Sequence, residues 1–289
     1  VSASPGPGHG TPLEIRDFTA PEEYRACLEL QEETWGPGFS EKVPAAILKV
    51  AQRMGGIAAG AWDRQGRLAG FVFGITGLDR DGEPAHWSDM LAVHPAYRDS
   101  GVGVALKRHQ RKALLARGVR RVYWTFDPLE SRNAWLNVGK LGVVCREYVR
   151  DMYGEPSSPL HRGLGTDRLV ALWLLEAPGK PERSPGGSPP PASVPGITPA
   201  FRWQEVGGVP HPGPDSLPHP RPREVLVPIP RDIQELKERE PSVARLWRDR
   251  VREALESLLD GGYEVRGFLP GEPVSNYLLL RGDSDQAGS

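Results

Sequence analysis

Cysteine is nearly absent: Cys27 and Cys145 are the only two in 289 residues. So far apart, they suggest neither a disulfide framework nor a thiolate metal site, and a reducing cytoplasmic compartment is the expectation. Charge of one sign is also lacking, with 36 basic and 37 acidic side chains and a formal net charge of −1. That balance gives no electrostatic case for nucleic acid or an anionic membrane as partner. No apolar run has the length to span a bilayer, so a soluble chain is expected. The histidines His86, His94 and His109 form no i, i+4 pair, and no metal site is expected. Arginine outnumbers lysine about four to one, which the balancing acids mark as compositional bias rather than phosphate chemistry.

Glycine and proline are plentiful instead, 34 and 30 residues, and they punctuate the chain. Residues 1–11 are small, Gly- and Pro-rich and without the apolar core of a signal peptide; they read as a disordered tail. From 12 to 177 apolar runs alternate with turn chemistry as in one folded domain. Leu13–Arg16 reads as a strand, Tyr24, Cys27, Leu28 and Trp35 mark a helix after Pro21, and Val43–Met54 marks a second helix ended by Gly55-Gly56. Ile57–Trp62 and Leu68–Thr76 form a hairpin around Asp63-Arg64-Gln65-Gly66-Arg67, followed by a strand His86–Val93. Residues 178–222 carry nearly half of all the prolines and read as a linker, with Phe201 and Trp203 as anchors. Residues 223–282 read as a β-α-α-β-β unit whose helix carries Val243, Leu246, Trp247, Val251, Ala254, Leu255, Leu258 and Leu259 at helical spacing. Residues 283–289 read as a second disordered tail.

The most informative stretch is Asp89 to Ala105: an apolar strand, a Pro-marked turn, then Gly101 and Gly103 opening a helix. Glycines there leave the first helical turn uncovered, so its unpaired N–H groups point at a bound anion, with Arg98 adding a cation at the rim. A Walker loop is excluded because no Gly-Lys-Ser/Thr follows. A dinucleotide fingerprint is excluded because Val93 and Gly101 are separated by a long turn and Leu106 replaces the third glycine.

Val93-x-Pro95-x-x-Arg98-x-x-Gly101-x-Gly103-x-Ala105 resembles the acyl-CoA-binding motif of the GNAT superfamily of N-acyltransferases. The elements that follow keep that order: a helix over Val104–Arg117, a strand Val119–Phe126, a helix Arg132–Leu141 closed by Gly142, and strands near Val143–Tyr153 and Arg168–Leu175. The resemblance covers about Leu13–Glu176. It implies an α/β (α+β) fold with a mixed, mostly antiparallel central sheet flanked by helices, here with a C-terminal helix-strand extension. Helix, glycine, strand, turn, strand also describes that extension, so it is either a partial repeat of the same fold or a packing unit; the sequence leaves both open.

The resemblance further implies acetyl-CoA or another acyl-CoA as cosubstrate, with no metal. Met90, Leu91, Ala92 and Val93 would offer backbone groups to the pantetheine arm. Arg98, Asp99, Ser100, Gly101, Val102, Gly103, Val104 and Ala105 would hold the pyrophosphate, with Asn133 and Asn137 beside it. A general base is expected near the splayed strand, where Asp89 is the best placed; Asp127 either faces the same cleft or shapes its own turn. The tyrosine that serves many family members as general acid is replaced by Val138, leaving Tyr148, Tyr153 or solvent as proton donor. Arg132, Arg162 and Arg168 are placed to grip an acceptor carboxylate, with Trp124 alongside, which would suit an amino acid. The expected function is transfer of an acetyl or related acyl group to the amine of a small molecule. The rivals are succinyl-type transfer to an amino acid and a CoA-binding module without catalysis. A homodimer is left open.

Overall fold

The computed structural model describes residues 13–37, 39–154, 163–176, 196–213 and 221–282. The expected tails, most of the expected linker and Arg162 lie outside these described residues. The chain forms two compact units. One holds the described residues up to Trp124 together with Leu174–Glu176; the other holds those from Thr125 to Trp173 and those after Ala177. The division falls inside the span 12–177.

In the first unit the strands β1 (Glu14–Asp17), β2 (Ile57–Trp62), β3 (Leu68–Leu78), β4 (Pro84–Val93) and β5 (Arg121–Phe126, of which the last two residues belong to the second unit) lie side by side in chain order. Neighbours are antiparallel except β4 and β5, which run parallel. Helices α1 (Pro21–Trp35) and α2 (Ala45–Arg53) cover one face, over a core that includes Tyr24, Cys27, Leu48, Phe71, Phe73 and Met90. The start of α1 is specified locally: Pro21 takes the first turn, and the Glu23 carboxylate accepts from the backbone N–H of Thr19 (2.6 Å) and Ala20 (3.0 Å). Gln31 reaches from α1 to both backbone groups of Val43 and so pins the loop ahead of α2. Helix α3 (Val102–Ala116) packs on β3, β2 and β4 through Val102, Leu106 and Leu114.

In the second unit a short helix α4 (Ser131–Ala134) runs directly into a π-helical turn, Trp135–Lys140, which ends at Gly142 with φ 71°. The expected helix Arg132–Leu141 is thus present but wider than α, the geometry of an inserted residue. Strands β6 (Val144–Val149), β7 (Arg168–Leu174), β8 (Thr198–Pro199), β11 (Glu224–Pro230), β12 (Tyr263–Leu269) and β13 (Val274–Arg281) lie in the order β7-β6-β12-β13-β11-β8, mostly antiparallel. A separate hairpin joins β9 (Trp203–Val206) and β10 (Val209–Pro212). Helix α5 (Ile233–Arg239) precedes α6 (Pro241–Asp260), whose apolar stripe is buried as the spacing required, apart from Leu246, which faces water, and Leu259, which is half-buried. Phe201 is buried against Trp247, ring centroids 5.9 Å apart, whereas Trp203 keeps about a third of its surface exposed, 36%. Each unit is therefore a mixed, mostly antiparallel sheet with helices against it.

Candidate active site

Strand β4 changes partners at one point. It pairs with β5 only through Ala85, His86 and Trp87. On its other edge the register against β3 slips between Phe73↔Met90 and Ile75↔Trp87, so Ser88 and Asp89 together oppose the single residue Gly74. This is a β-bulge, which bends a strand and re-aims its edge. Gly74 is required there: a Cβ on it would lie 2.2 Å from His86 Nε2 and 2.5 Å from the Trp87 carbonyl. Past the bulge, Met90–Val93 stay bonded to β3 while their other edge has no strand partner among the described residues. The two strands thus open as a fork, and one tine keeps backbone donors and acceptors for an extended chain to add to.

The fork leads to the glycine loop. Pro95–Tyr97 is a single 3₁₀ turn, Asp99 and Gly101 are left-handed (φ 61° and 86°), and Gly101 caps α3 without a side chain. The first bond of the helix runs from the Ala105 N–H to the Gly101 carbonyl, 3.0 Å, so the N–H groups of Val102, Gly103 and Val104 have no partner within the helix. Gly70 lets α3 approach the sheet, since a Cβ there would lie 2.7 Å from the Ala92 carbonyl and 3.1 Å from Val102 Cγ1. Arg98, Asp99 and Ser100 are exposed around this end. The loop is tied down by Tyr97, whose hydroxyl donates to Asp63 Oδ2 at 2.6 Å. Burial alone would raise the Asp63 pKa; bonds from Tyr97, Arg67 and Gln65 outweigh it and hold the group down at about 2.

Asp89 sits on the bulge, with open surface although the surrounding protein thins its hydration. That desolvation moves its pKa above the ordinary carboxylate range; a bond from Trp87 opposes the shift and the Glu41 charge adds to it. Beneath the fork lies Lys107 of α3, buried, with its amine on Ser88 Oγ (2.7 Å), Gln110 Oε1 (3.3 Å) and the face of Trp124 (3.8 Å to the centroid). Trp124 is therefore packed under the strands rather than standing in open space. Sequence periodicity offered one clue to this cluster: Lys107 and Gln110 occupy the buried phase of α3, between Leu106 and Leu114, where apolar residues are expected.

In the second unit Asp127, Tyr148 and Arg168 are each bonded to partners of that same unit. The Asp127 carboxylate is buried; Oδ1 accepts from the Leu129 N–H (2.8 Å) and from Arg248 Nη2 (2.9 Å), and Oδ2 accepts from Arg248 Nη2 (2.7 Å). Desolvation would raise its pKa, but the Arg248 charge prevails and the net shift is downward. The turn role and an ion pair thus both fall to Asp127. Tyr148 donates to Asp167 Oδ2 at 2.6 Å, and burial pushes its own pKa well up. Asp167 also accepts two bonds from Arg252, 2.7 and 3.0 Å, and one from the Asp151 N–H. Arg168 is buried, bonded to the Asp167 carbonyl and stacked over Tyr153 (5.2 Å), while Arg132 and Asn133 are exposed and Asn137 is buried. Val138 is fully buried hydrocarbon. The partners Arg248 and Arg252 were not anticipated. Their signal is the i, i+4 spacing of Arg248, Arg252 and Glu256 along the edge of the apolar stripe of α6.

Residues 24–136 match the model of the acetyltransferase (GNAT) family. No curated protein matches the chain. Solved structures similar to it include the NatC complex bound to Gag peptide and CoA (13% identity over 56% of this chain and 98% of that one, TM-score 0.46). Others are the ribosomal-protein-S18-alanine N-acetyltransferase from Escherichia coli (18%, 59% and 99%, TM-score 0.44) and an N-acetyltransferase from Staphylococcus aureus (14%, 57% and 100%, TM-score 0.45). The stretch that matches the acetyltransferase (GNAT) family model, residues 24–136, is the one that carries the fork, the glycine loop and Asp89.

Proposed function

We propose that this chain moves an acetyl or related acyl group from acyl-CoA to the amine of a small molecule, an amino acid being one acceptor class, with Asp89 as general base. The carrying observation is the continuity of three features in one unit: a β4 edge without a strand partner among the described residues, an α3 start that no side chain caps, and a carboxylate of raised pKa at the bulge between the parting strands. The Val102, Gly103 and Val104 N–H groups would hold the pyrophosphate, and Met90–Val93 would bind the arm as an added strand. The thioester then supplies the acyl group. An attacking amine must be neutral, and a carboxylate of raised pKa is a stronger base for its proton than an ordinary aspartate. The departing thiolate is a far weaker base than an alkoxide, the pKa of a cysteine thiol being about 8.5, so solvent can return its proton and no dedicated acid is demanded.

Two observations favour a second reading, a CoA-binding module without turnover: Val138 presents only hydrocarbon, and the Tyr148 proton is committed to Asp167. Calorimetry with acetyl-CoA, combined with thiol release against a panel of amines, amino acids and acyl-CoA chain lengths, separates the readings. Turnover with any amine supports transfer. Tight binding with no turnover on the whole panel supports the module. Absence of binding overturns both.

A further inference from the structure

We infer that Lys107 is a positioning residue for acyl transfer: held at the base of the fork between Ser88 of β4 and the ring of Trp124 of β5, it sets how the strands part and so aims the β4 bulge at the acyl end of coenzyme A. This rests on the acyltransferase reading above. The placement is specific. Ser88 and Trp124 are the residues that follow the last paired positions of their strands, Trp87 and Tyr123, and a side chain from a third element touches both.

The amine has three donors, and each has a recipient: Ser88 Oγ, Gln110 Oε1 and the Trp124 face. No carboxylate is among them, so this is not a salt bridge. Burial pushes the pKa of Lys107 down to about 7, a sign of how poorly the site favours charge. An apolar chain of equal length would fill the same space without that cost, so the stability of the fold does not account for a lysine here. Directional bonds do.

A second layer holds the serine in place. Gln110 Nε2 donates to Ser88 Oγ (3.1 Å) and to His86 Nε2 (3.1 Å). The Thr76 hydroxyl donates to the Gly55 carbonyl at 2.9 Å, so at its 2.9 Å contact with His86 it accepts the Nδ1 proton. His86 is neutral in this arrangement, since burial and the Lys107 charge hold its pKa down at about 3. Thr76, His86, Gln110, Ser88 and Lys107 thus form one connected hydrogen-bond network. The bulge is fixed from behind by this network and permitted in front by Gly74.

The test uses the full-length protein and two probes, acetyl-CoA and 3′-phosphoadenosine 5′-diphosphate, the portion of CoA without the arm. In Lys107→Met, calorimetry is expected to show acetyl-CoA affinity reduced about tenfold or more, with affinity for the armless nucleotide unchanged and the melting temperature equal or higher. Ser88→Ala is expected to show the same split, and the double variant no further loss. Unchanged acetyl-CoA affinity in Lys107→Met overturns the inference, as does parallel loss of both probes with a lowered melting temperature, the pattern of a purely structural lysine. Should Lys107→Met fail to fold, Ser88→Ala decides on the same two criteria. Wild-type protein that binds neither probe fails the acyltransferase reading itself, a result distinct from these.

Discussion

Asp89, at the bulge within β4, and Asp127, just past the end of β5, each lie within two residues of an aromatic, and the structure treats them in opposite ways. Asp89 stands on a bulge in the first unit, with open surface and a pKa moved upward by lost hydration. Asp127 lies buried in the second unit, its oxygens taken by Leu129 and Arg248 and its pKa moved downward. The same chemical group is poised in one place and spent in the other. The contrast extends beyond the pair: the first unit leaves backbone donors open at the fork and at the start of α3, whereas the second satisfies Asp127, Asp167 and Tyr148 with arginines and backbone. A site needs unsatisfied capacity, and a scaffold removes it.

Four changes probe that contrast. The largest effect is expected from Gly101→Glu, which places a carboxylate beside the uncapped N–H groups and forces a side chain into φ 86°. Acetyl-CoA binding by calorimetry should be abolished; unchanged affinity would remove the anion-site half of the comparison. Next is Asp89→Asn, which should lower kcat/KM on any accepted amine by about 10² to 10⁴ without lowering the melting temperature. The wild-type rate should fall on the acid side as pH drops through the raised Asp89 pKa, because the base is lost on protonation, and this limb should vanish in the variant.

For the closed side, Arg248→Ala leaves the Asp127 charge buried and uncompensated, and urea unfolding should show a loss of about 3–5 kcal/mol. Combining Asp127→Asn with Arg248→Met should recover most of it, since no isolated charge then remains; a double variant as unstable as the single would show that the pair does more than cancel charge. Smallest is Tyr97→Phe, which frees one bond to Asp63 at an expected stability cost of about 1.5–3 kcal/mol. The Asp63 pKa is depressed by folding, so its stabilisation is full above the unfolded value of about 3.9 and fades as pH falls toward 2. Tyr97→Phe should narrow that acid window, measurable as a shallower stability slope between those pH values.

Much of the fold was legible because its elements carry local rules. Pro21 and Glu23 start α1, Gly55 and Gly142 stop helices with positive φ, and the stripe of α6 repeats at helical spacing, so these boundaries fall within a few residues of where the sequence puts them. The glycine loop was legible for the same reason, as Gly101 and Gly103 mark a helix start that no side chain covers. Less legible were the polar groups at buried positions. Lys107, Gln110 and His86 look like surface or isolated residues in the sequence and become one network only when α3 is laid on β4. Arg168 looked available for an acceptor carboxylate and is instead bonded to the Asp167 carbonyl and stacked on Tyr153.

By itself the sequence determined the alternation of strands and helices, the uncapped start of α3 and the identity of both candidate aspartates, because periodicity, capping and turn chemistry act over a few residues. Only the tertiary structure decided which aspartate was neutralised, where β4 leaves β5, and which cation lies under that fork. Those outcomes depend on desolvation and on partners from remote segments, and no local rule encodes either.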